Sequence, residues 1–596
     1  MRTAETVLSI IQDRGKHGLP LEDVYRQLFN PDMYLRAYAQ IHRNIGAMTP
    51  GITKETVDGV SQEKIAHTIE TMRWERWRWT PVRRVNIPKK NGKTRPLGIP
   101  TWSDKLVQEV IRSILEAYYE PQFTEQSHGF RPHRGCHTAL TEIHRNWVGT
   151  KWFIEGDIKG CFDNIDHTIL MNILREKIHD NRFLRLIEGL LKAEYCEEWK
   201  YHPTLSGTPQ GGVISPILAN IYLDQLDKFV TNTLIPEYTR GKRRKRHTEY
   251  TRLSSLGSFY RRTGRPEKGE ELRRQAQTYP SIDPKDPDYR RLRYVRYADA
   301  FLLSFAGPKA EAEDIKERLA TFLKTELKLA LSDEKTLLTH AQTSRARFLG
   351  YEIKVMESQT KFDDRRRRSV NGKVGLYIPE DVIENKRNRF LRNGKAIHRA
   401  ELINDSEYDI LCRYQWEYRG LVEYYAMAQN LARLSYLRWT METSLLKTIA
   451  NKNRTTLSKT QKRLLNKQQT PYGPRKCLKI IIPREDKKPL VAIFGGLSLK
   501  RRENTAIKDQ VLLPHIHRRS EVVERLLRDQ CEVCGITGKV EMHHIQKMAN
   551  LKKKGQREKP FWMQIMIARK RKTLAVCQKC HMDIHYNRPQ SKDTGN

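Results

Sequence analysis

A chain of 596 residues with 38% apolar composition is long enough for three to five domains and too apolar to be disordered. Its 109 Lys and Arg outnumber 70 Asp and Glu, and a formal charge of +39 points to a polyanionic partner, nucleic acid first. The opening MRTAETVLSIIQDRGKHG lacks a signal peptide's continuous apolar run, and no stretch approaches the ~20 apolar residues needed to span a bilayer, so no membrane partner and a cytoplasmic location are expected. Of nine cysteines, Cys136, Cys161, Cys196, Cys412 and Cys477 are scattered, whereas the other four form two CxxC pairs near the C-terminus, an arrangement that suits metal better than disulfides.

Residues 1–80 carry apolar positions at helical spacing and are expected to form a basic helical extension. From Pro81, PVRRVNIPKKNGKTRPLGIP predicts a hairpin turning at Asn91-Gly92, and Lys93 and Arg95 beside that turn are either solvated or grip a phosphate. A helix is predicted over 104–120, followed by a loop with Arg131 and Arg134. A short strand, Trp152 to Ile154, then leads to Asp157, and Phe162 follows before Asp166 and His167 open a further helix. SGTPQGGVISPILANIYL supplies a Gly-rich turn and a helix start at Ser215-Pro216. Residues 236–290 read as a charged, largely helical insertion. Arg293 to Phe305, RYVRYADAFLLSF, places Asp299 at the tip of a hairpin of strand-forming residues. A strand-end Asp157 close to Asp299 would hold divalent cations between them.

The ordered set RRVNIPKKNGKTRPLGIP, SHGFRPHRG, FIEGDIKGCFDNIDH, GTPQGGVISPILANIYL, RYVRYADAFLLSF, LALSDEKT and FLGYEI resembles the successive blocks of group II intron reverse transcriptases, or maturases. The resemblance implies an α+β right-hand polymerase with fingers and palm over 81–375 and a helical thumb, or maturase X domain, over 376–475. It makes Asp157, Asp299 and the Ile158 carbonyl the ligands of two Mg²⁺ ions. Phe162 would exclude a 2′-hydroxyl, Lys93, Arg95 and Lys335 would hold the triphosphate of a deoxynucleotide, Gln210 would border the nucleotide pocket, and Phe348 to Tyr351 would underlie the primer end. Where the family shows Tyr-Ala-Asp-Asp this chain reads Tyr297-Ala298-Asp299-Ala300. Losing the second acid removes negative charge from a site for two cations, so metal affinity and polymerisation should both fall.

Arg365 to Arg368, just ahead of the helical region, read as a phosphate contact or a solvated loop. Residues 476–525 read as a basic, linker-like stretch similar to the family's DNA-binding segment. In the tail, 526–596, Cys531-x2-Cys534 and Cys577-x2-Cys580 have the spacing of a structural Zn²⁺ site. His581 and His585 lie four apart, on one helical face. EMHHIQKMANL and CHMDIHYN resemble an HNH nuclease, which implies His544 as general base and His543, His581 and His585 as ligands of one divalent ion, expected to be Mg²⁺. The middle Asn of that motif is not evident: Asn550 comes early, and the expected interval carries Arg569 to Lys572. Together these features predict a protein that binds group II intron RNA, assists splicing, carries the RNA to target DNA, nicks it and copies the intron from the nick. The alternatives are a splicing maturase without catalysis and a zinc-stapled tail that only binds.

Overall fold

Side-chain caps mark where helices of the first half begin. Thr3, Asn30, Ser61, Thr101, Asp166 and Asp180 each accept a hydrogen bond from a first-turn N–H, opening helices at Ala4, Pro31, Gln62, Trp102, His167 and Asn181. The computed structural model describes residues 2–88, 92, 94–197, 200–202, 204, 206–207, 211–358, 360–361, 364, 370–470, 473–484, 487–503, 520–548, 551, 559–586 and 588. Lys93, Gln210, Asn550 and Arg365 to Arg368 lie outside them.

A four-stranded antiparallel sheet runs in the order Leu292–Tyr297, Ala300–Phe305, Trp152–Asp157, Leu338–His340. Its side chains alternate between two cores, as the period of a strand requires. Ile154, Tyr294, Phe301, Leu303 and Phe305 join the core that holds helices Ser215–Phe229 and Lys309–Thr325. Phe153, Val295 and Leu302 face the helix Cys136–Asn146 and Phe348.

One buried ion pair ties this sheet to its supports. Arg296 and Asp227 meet at 2.5 Å with both side chains 0% exposed. All five guanidinium donors are used: Nε and Nη2 reach the two Asp227 oxygens, Nη2 also reaches Ser127 Oγ, and Nη1 reaches Asn220 Oδ1 and the Ala298 carbonyl. Tyr294 donates its hydroxyl to the same carboxylate at 2.8 Å. The strand backbone of Arg296 also bonds Gln126 and His128, so the loop ahead of Arg131 is strapped to it.

The expected basic hairpin forms from Val82–Pro88 and Thr94–Ile99, with Arg95 opposite Ile87. Within 236–290 two helices, Thr248–Arg262 and Pro266–Ala276, pack on each other, and bridges at Arg240–Arg290 and Arg246–Ile282 close the base. The helical region holds Glu407–Tyr424, Leu434–Lys452 and Leu457–Leu464. Tyr424 and Tyr425 donate their hydroxyls to Leu349 and Gly350, the two positive-φ residues that turn Phe348 toward Tyr351.

Two regions differ from the sequence expectation. Where a linker was expected, strands Gly473–Arg484 and Lys487–Gly495 form a meander with Leu465–Thr470. Its inner residues Leu478, Ala492 and Phe494 are buried against Tyr414 and Tyr418, while Lys467, Arg475, Lys476 and Lys488 are exposed. The N-terminal extension is not purely helical either. Val60–Ser61 pairs antiparallel with Val540–His544, which in turn pairs with Thr573–Cys577. The tail also holds helices Glu521–Leu527, Phe561–Arg569 and Gln578–His585.

Removing one partner of a fully buried ion pair leaves the other charge uncompensated, at a cost of about 3–5 kcal/mol. Asp227→Ala is therefore expected to lower unfolding stability by that amount, read from the shift in guanidinium denaturation midpoint.

Candidate active sites

Strand alternation and a tight turn bring the two sequence-predicted acids to one end of the central sheet. Asp157 ends its strand directly across from Ala300, and the turn Ala298-Asp299 joins the neighbouring pair. Ala298 adopts a left-handed backbone, φ 55°, and its carbonyl is held by Arg296 at 3.0 Å. The Ile158 N–H donates to the Asp299 carbonyl at 3.1 Å, so the residue after one acid is bonded to the other acid's backbone. Glycine is required at two contacts here. A Cβ on Gly156 would lie 2.1 Å from the Phe301 ring, and one on Gly129 would lie 2.3 Å from the Ala298 nitrogen.

The electrostatics fit a cation site. Burial first, then the Asp157 charge, push the Asp299 carboxyl above the ordinary range, while Lys335 and Arg95 oppose the shift. Lys335 Nζ sits on Asp157 Oδ2 at 2.6 Å. Two neighbouring carboxylates, one reluctant to ionise and the other leaning on an exposed lysine, form an arrangement that a divalent cation would relieve. Cys161, buried below them, has its thiol pushed up to about 12 by burial and then by Asp299. It is packing, not a nucleophile.

Phe162 is half-buried in the turn after Asp157, edge-on to Phe130 at 6.3 Å. Gly207 lies against its backbone: a Cβ there, φ 87°, would lie 2.7 Å from the Phe162 carbonyl. Gly211, just past Gln210, lies against Gly98 and Leu97 of the basic hairpin. Opposed residues of an antiparallel pair share a face, with Cβ atoms roughly 5 Å apart. An acid at position 300 would therefore face Asp157 across the ladder, where Ala300 now packs on the apolar cluster that includes Leu349.

The tail carries two clusters. Ligand atoms of Cys531, Cys534, Cys577 and Cys580 all lie within 4.8 Å of one another. The Cys534–Cys577 sulfur separation is 3.8 Å, the edge of a tetrahedron with metal–sulfur bonds of about 2.3 Å. The second cluster joins His543, His581 and His585 to Asp58, again within 4.8 Å. His581 Nδ1 meets Glu541 at 2.7 Å. His543, only 4% exposed, faces Asp58 Oδ1 with Nδ1 at 3.2 Å, and its Nε2 has no hydrogen-bond partner. His544 is placed differently. Its backbone N–H donates to Asp58 at 2.7 Å, but its imidazole lies outside the cluster, with Nε2 2.8 Å from the Tyr38 hydroxyl and His42 nearby. Burial and then the His42 charge push it down to about 3.

Sequence reasoning missed Asp58, Glu541 and Tyr38. Asp58 stands in VDGVS, without neighbouring ligand-type residues, and only the pairing of distant strands brings it to the histidines.

Residues 87–353 match a family described as reverse transcriptase (RNA-dependent DNA polymerase), 376–478 match type II intron maturase, and 531–581 match AI2M/AI1M-like HNH endonuclease. The chain is 40% identical to "Group II intron-encoded protein LtrA" of Lactococcus lactis, over 94% of this chain and 95% of that protein. It is 35% identical to "Uncharacterized 91 kDa protein in cob intron" of Schizosaccharomyces pombe, over 94% of this chain and 69% of that one. It is also 31% identical to "Putative COX1/OXI3 intron 1 protein" of Saccharomyces cerevisiae, over 95% and 69%.

Because Gly156 meets the Phe301 ring so closely, Gly156→Ala is expected to overpack the sheet by about 1–3 kcal/mol. A lowered denaturation midpoint, with reduced primer extension, checks it.

Proposed function

The chain belongs to the group II intron-encoded reverse transcriptase and maturase family, and from that membership we propose how its sites divide the work. A protein with reverse transcriptase, maturase and HNH segments supports intron splicing and retrohoming, and the families imply binding of intron RNA and DNA. In our reading residues 81–375 are fingers and palm of a right hand, 376–475 the thumb, 476–525 a DNA-binding region and 526–596 the nuclease. The positive charge serves phosphate contacts in every step. Among the described residues no helix is long and apolar enough to cross a membrane. A cytoplasmic place of action is part of the proposal.

The observation that carries the polymerase reading is the convergence of Asp157 and Asp299 at one sheet end. Asp157, Asp299 and the Ile158 carbonyl would hold two Mg²⁺ ions, which supply Lewis-acid stabilisation of the attacking and leaving oxygens when bound. Lys335, with Arg95 and Lys93, would neutralise the triphosphate. The Phe162 ring would lie against the sugar and collide with a 2′-hydroxyl, selecting deoxynucleotides, and Gln210 would border the base. Zn²⁺ on the four cysteines would staple the tail. His543, His581 and His585 would hold the nuclease cation, and His544, kept neutral by burial, would take the proton from water.

Ala300 favours a second reading, a splicing maturase with a weakened polymerase. Restoring the acid separates the two. Ala300→Asp is expected to raise primer extension on an RNA template roughly tenfold or more, Asp157→Ala to abolish it, and neither to change splicing. Extension unchanged by Ala300→Asp would show that the two remaining acids suffice. In a strand-nicking assay His544→Ala is expected to eliminate cleavage while leaving extension intact.

A further inference from the structure

Asp58 belongs to the N-terminal region, yet its carboxylate sits among the three histidines of the tail. Oδ1 lies 3.2 Å from His543 Nδ1 and 3.2 Å from His581 Nε2, Oδ2 lies 2.9 Å from His585 Nε2, and the two Nε2 atoms are 3.2 Å apart. A tetrahedral cation with bonds of about 2.0–2.1 Å has ligand–ligand edges of about 3.3 Å, close to each of these separations, and one ligand atom from each of the four residues lies within 4.8 Å of the others. Ring nitrogens facing each other at 3.2 Å also need something between them, a shared proton or a cation. One shared proton cannot serve three ring nitrogens, and buried His543 brings a third, its Nδ1, to the same carboxylate at 3.2 Å, which points to the cation. The outer partner is in place as well, since Glu541 receives His581 Nδ1 and leaves Nε2 for the metal.

The chain holds Asp58 there by construction. Val60 and Ser61 pair with Met542 and Glu541, the Gly59 N–H bonds the Met542 carbonyl at 3.0 Å, and the His544 N–H fixes Oδ1 at 2.7 Å. Gly59, φ 78°, makes the bend from the carboxylate into the strand. We propose that Asp58 is the fourth ligand of the cation in the tail's histidine site, so that the N-terminal region and the tail share one metal centre. This rests on reading the three histidines as a cation site. Three imidazoles and one carboxylate suit a borderline divalent ion of the zinc, cobalt or nickel class better than magnesium. Four protein ligands close a tetrahedral site, whereas catalytic sites keep a position open. With Asp58 as ligand and Tyr38 on His544, the four side chains would leave a bound cation no open position for DNA phosphate.

The test is Co²⁺ titration of the full chain with zinc retained on the cysteines, followed by d–d absorption; absence of a thiolate-to-cobalt band confirms that the cysteine site has not exchanged. Wild type should bind one Co²⁺ with the intense bands of a four-coordinate ion. Asp58→Asn, which keeps an acceptor for the His544 N–H, should bind at least tenfold more weakly with weaker bands, and Asp58→His should restore tight binding. His585→Ala should also lose binding. If His585→Ala loses binding while Asp58→Asn titrates like wild type, the shared centre is wrong and the histidine site stands. If neither changes the titration, both fall. Failure of Asp58→His to restore binding likewise overturns the proposal.

Discussion

A guanidinium with no access to water organises the polymerase-like half of this protein. Arg296 has nowhere to place its five donors except the groups that surround it, and those groups come from three separate segments: the helix carrying Asn220 and Asp227, the loop at Ser127, and the turn at Ala298. The strongest of these partners is a carboxylate equally hidden from solvent. Such a pair adds little net stability over an apolar replacement, but its geometry is unforgiving, because any displacement leaves a buried charge unmet. The turn that presents Asp299 is fixed through this arginine, and the position of Asp157 follows from strand register.

Much of this was legible in the amino-acid order. Asp157 and Asp299 stand out because aromatic and β-branched runs flank them, and the paired cysteines announce themselves by spacing. What stayed hidden has physical reasons. Arg296 looks like any surface arginine, since nothing local tells that helix and loop will enclose it. The strands of 473–495 read as linker because basic residues, Pro483 and Pro489 interrupt their apolar runs, and the inward set of Leu478, Ala492 and Phe494 is too sparse to stand out without the helix it packs on. Asp58 is a lone acid whose meaning depends on a strand pairing with residues near the other end of the chain. Local chemistry specifies elements, and only the closed fold specifies such meetings.

The two candidate sites are built on different principles. At the sheet end, two acids are held by backbone register and a rigid turn, with exposed Lys335 as a movable counter-charge. In the tail, side chains from a hairpin, a helix and a foreign segment converge, and a neighbouring carboxylate orients one imidazole. In the first, both acids are partly exposed and Lys335 stands exposed beside them. The second is covered, with the histidine read as its base lying beneath a tyrosine from another region.

The strand pairing between Val60–Ser61 and Val540–His544 has a consequence for how such chains diverge. Val522, Val523, Leu526, Val540, Met542 and Ala575 belong to the same core as Tyr34, Tyr38 and Val57, so the tail is not an appendage on a finished body. A lineage that discarded its last seventy or so residues would uncover an unpaired strand edge and a greasy scar on the first hundred, where each aliphatic side chain newly wetted costs about 1.5–3 kcal/mol. Shortened descendants should therefore carry polar substitutions at the positions of Tyr38, Val57 and Val60, a footprint of the lost segment in the part that remains.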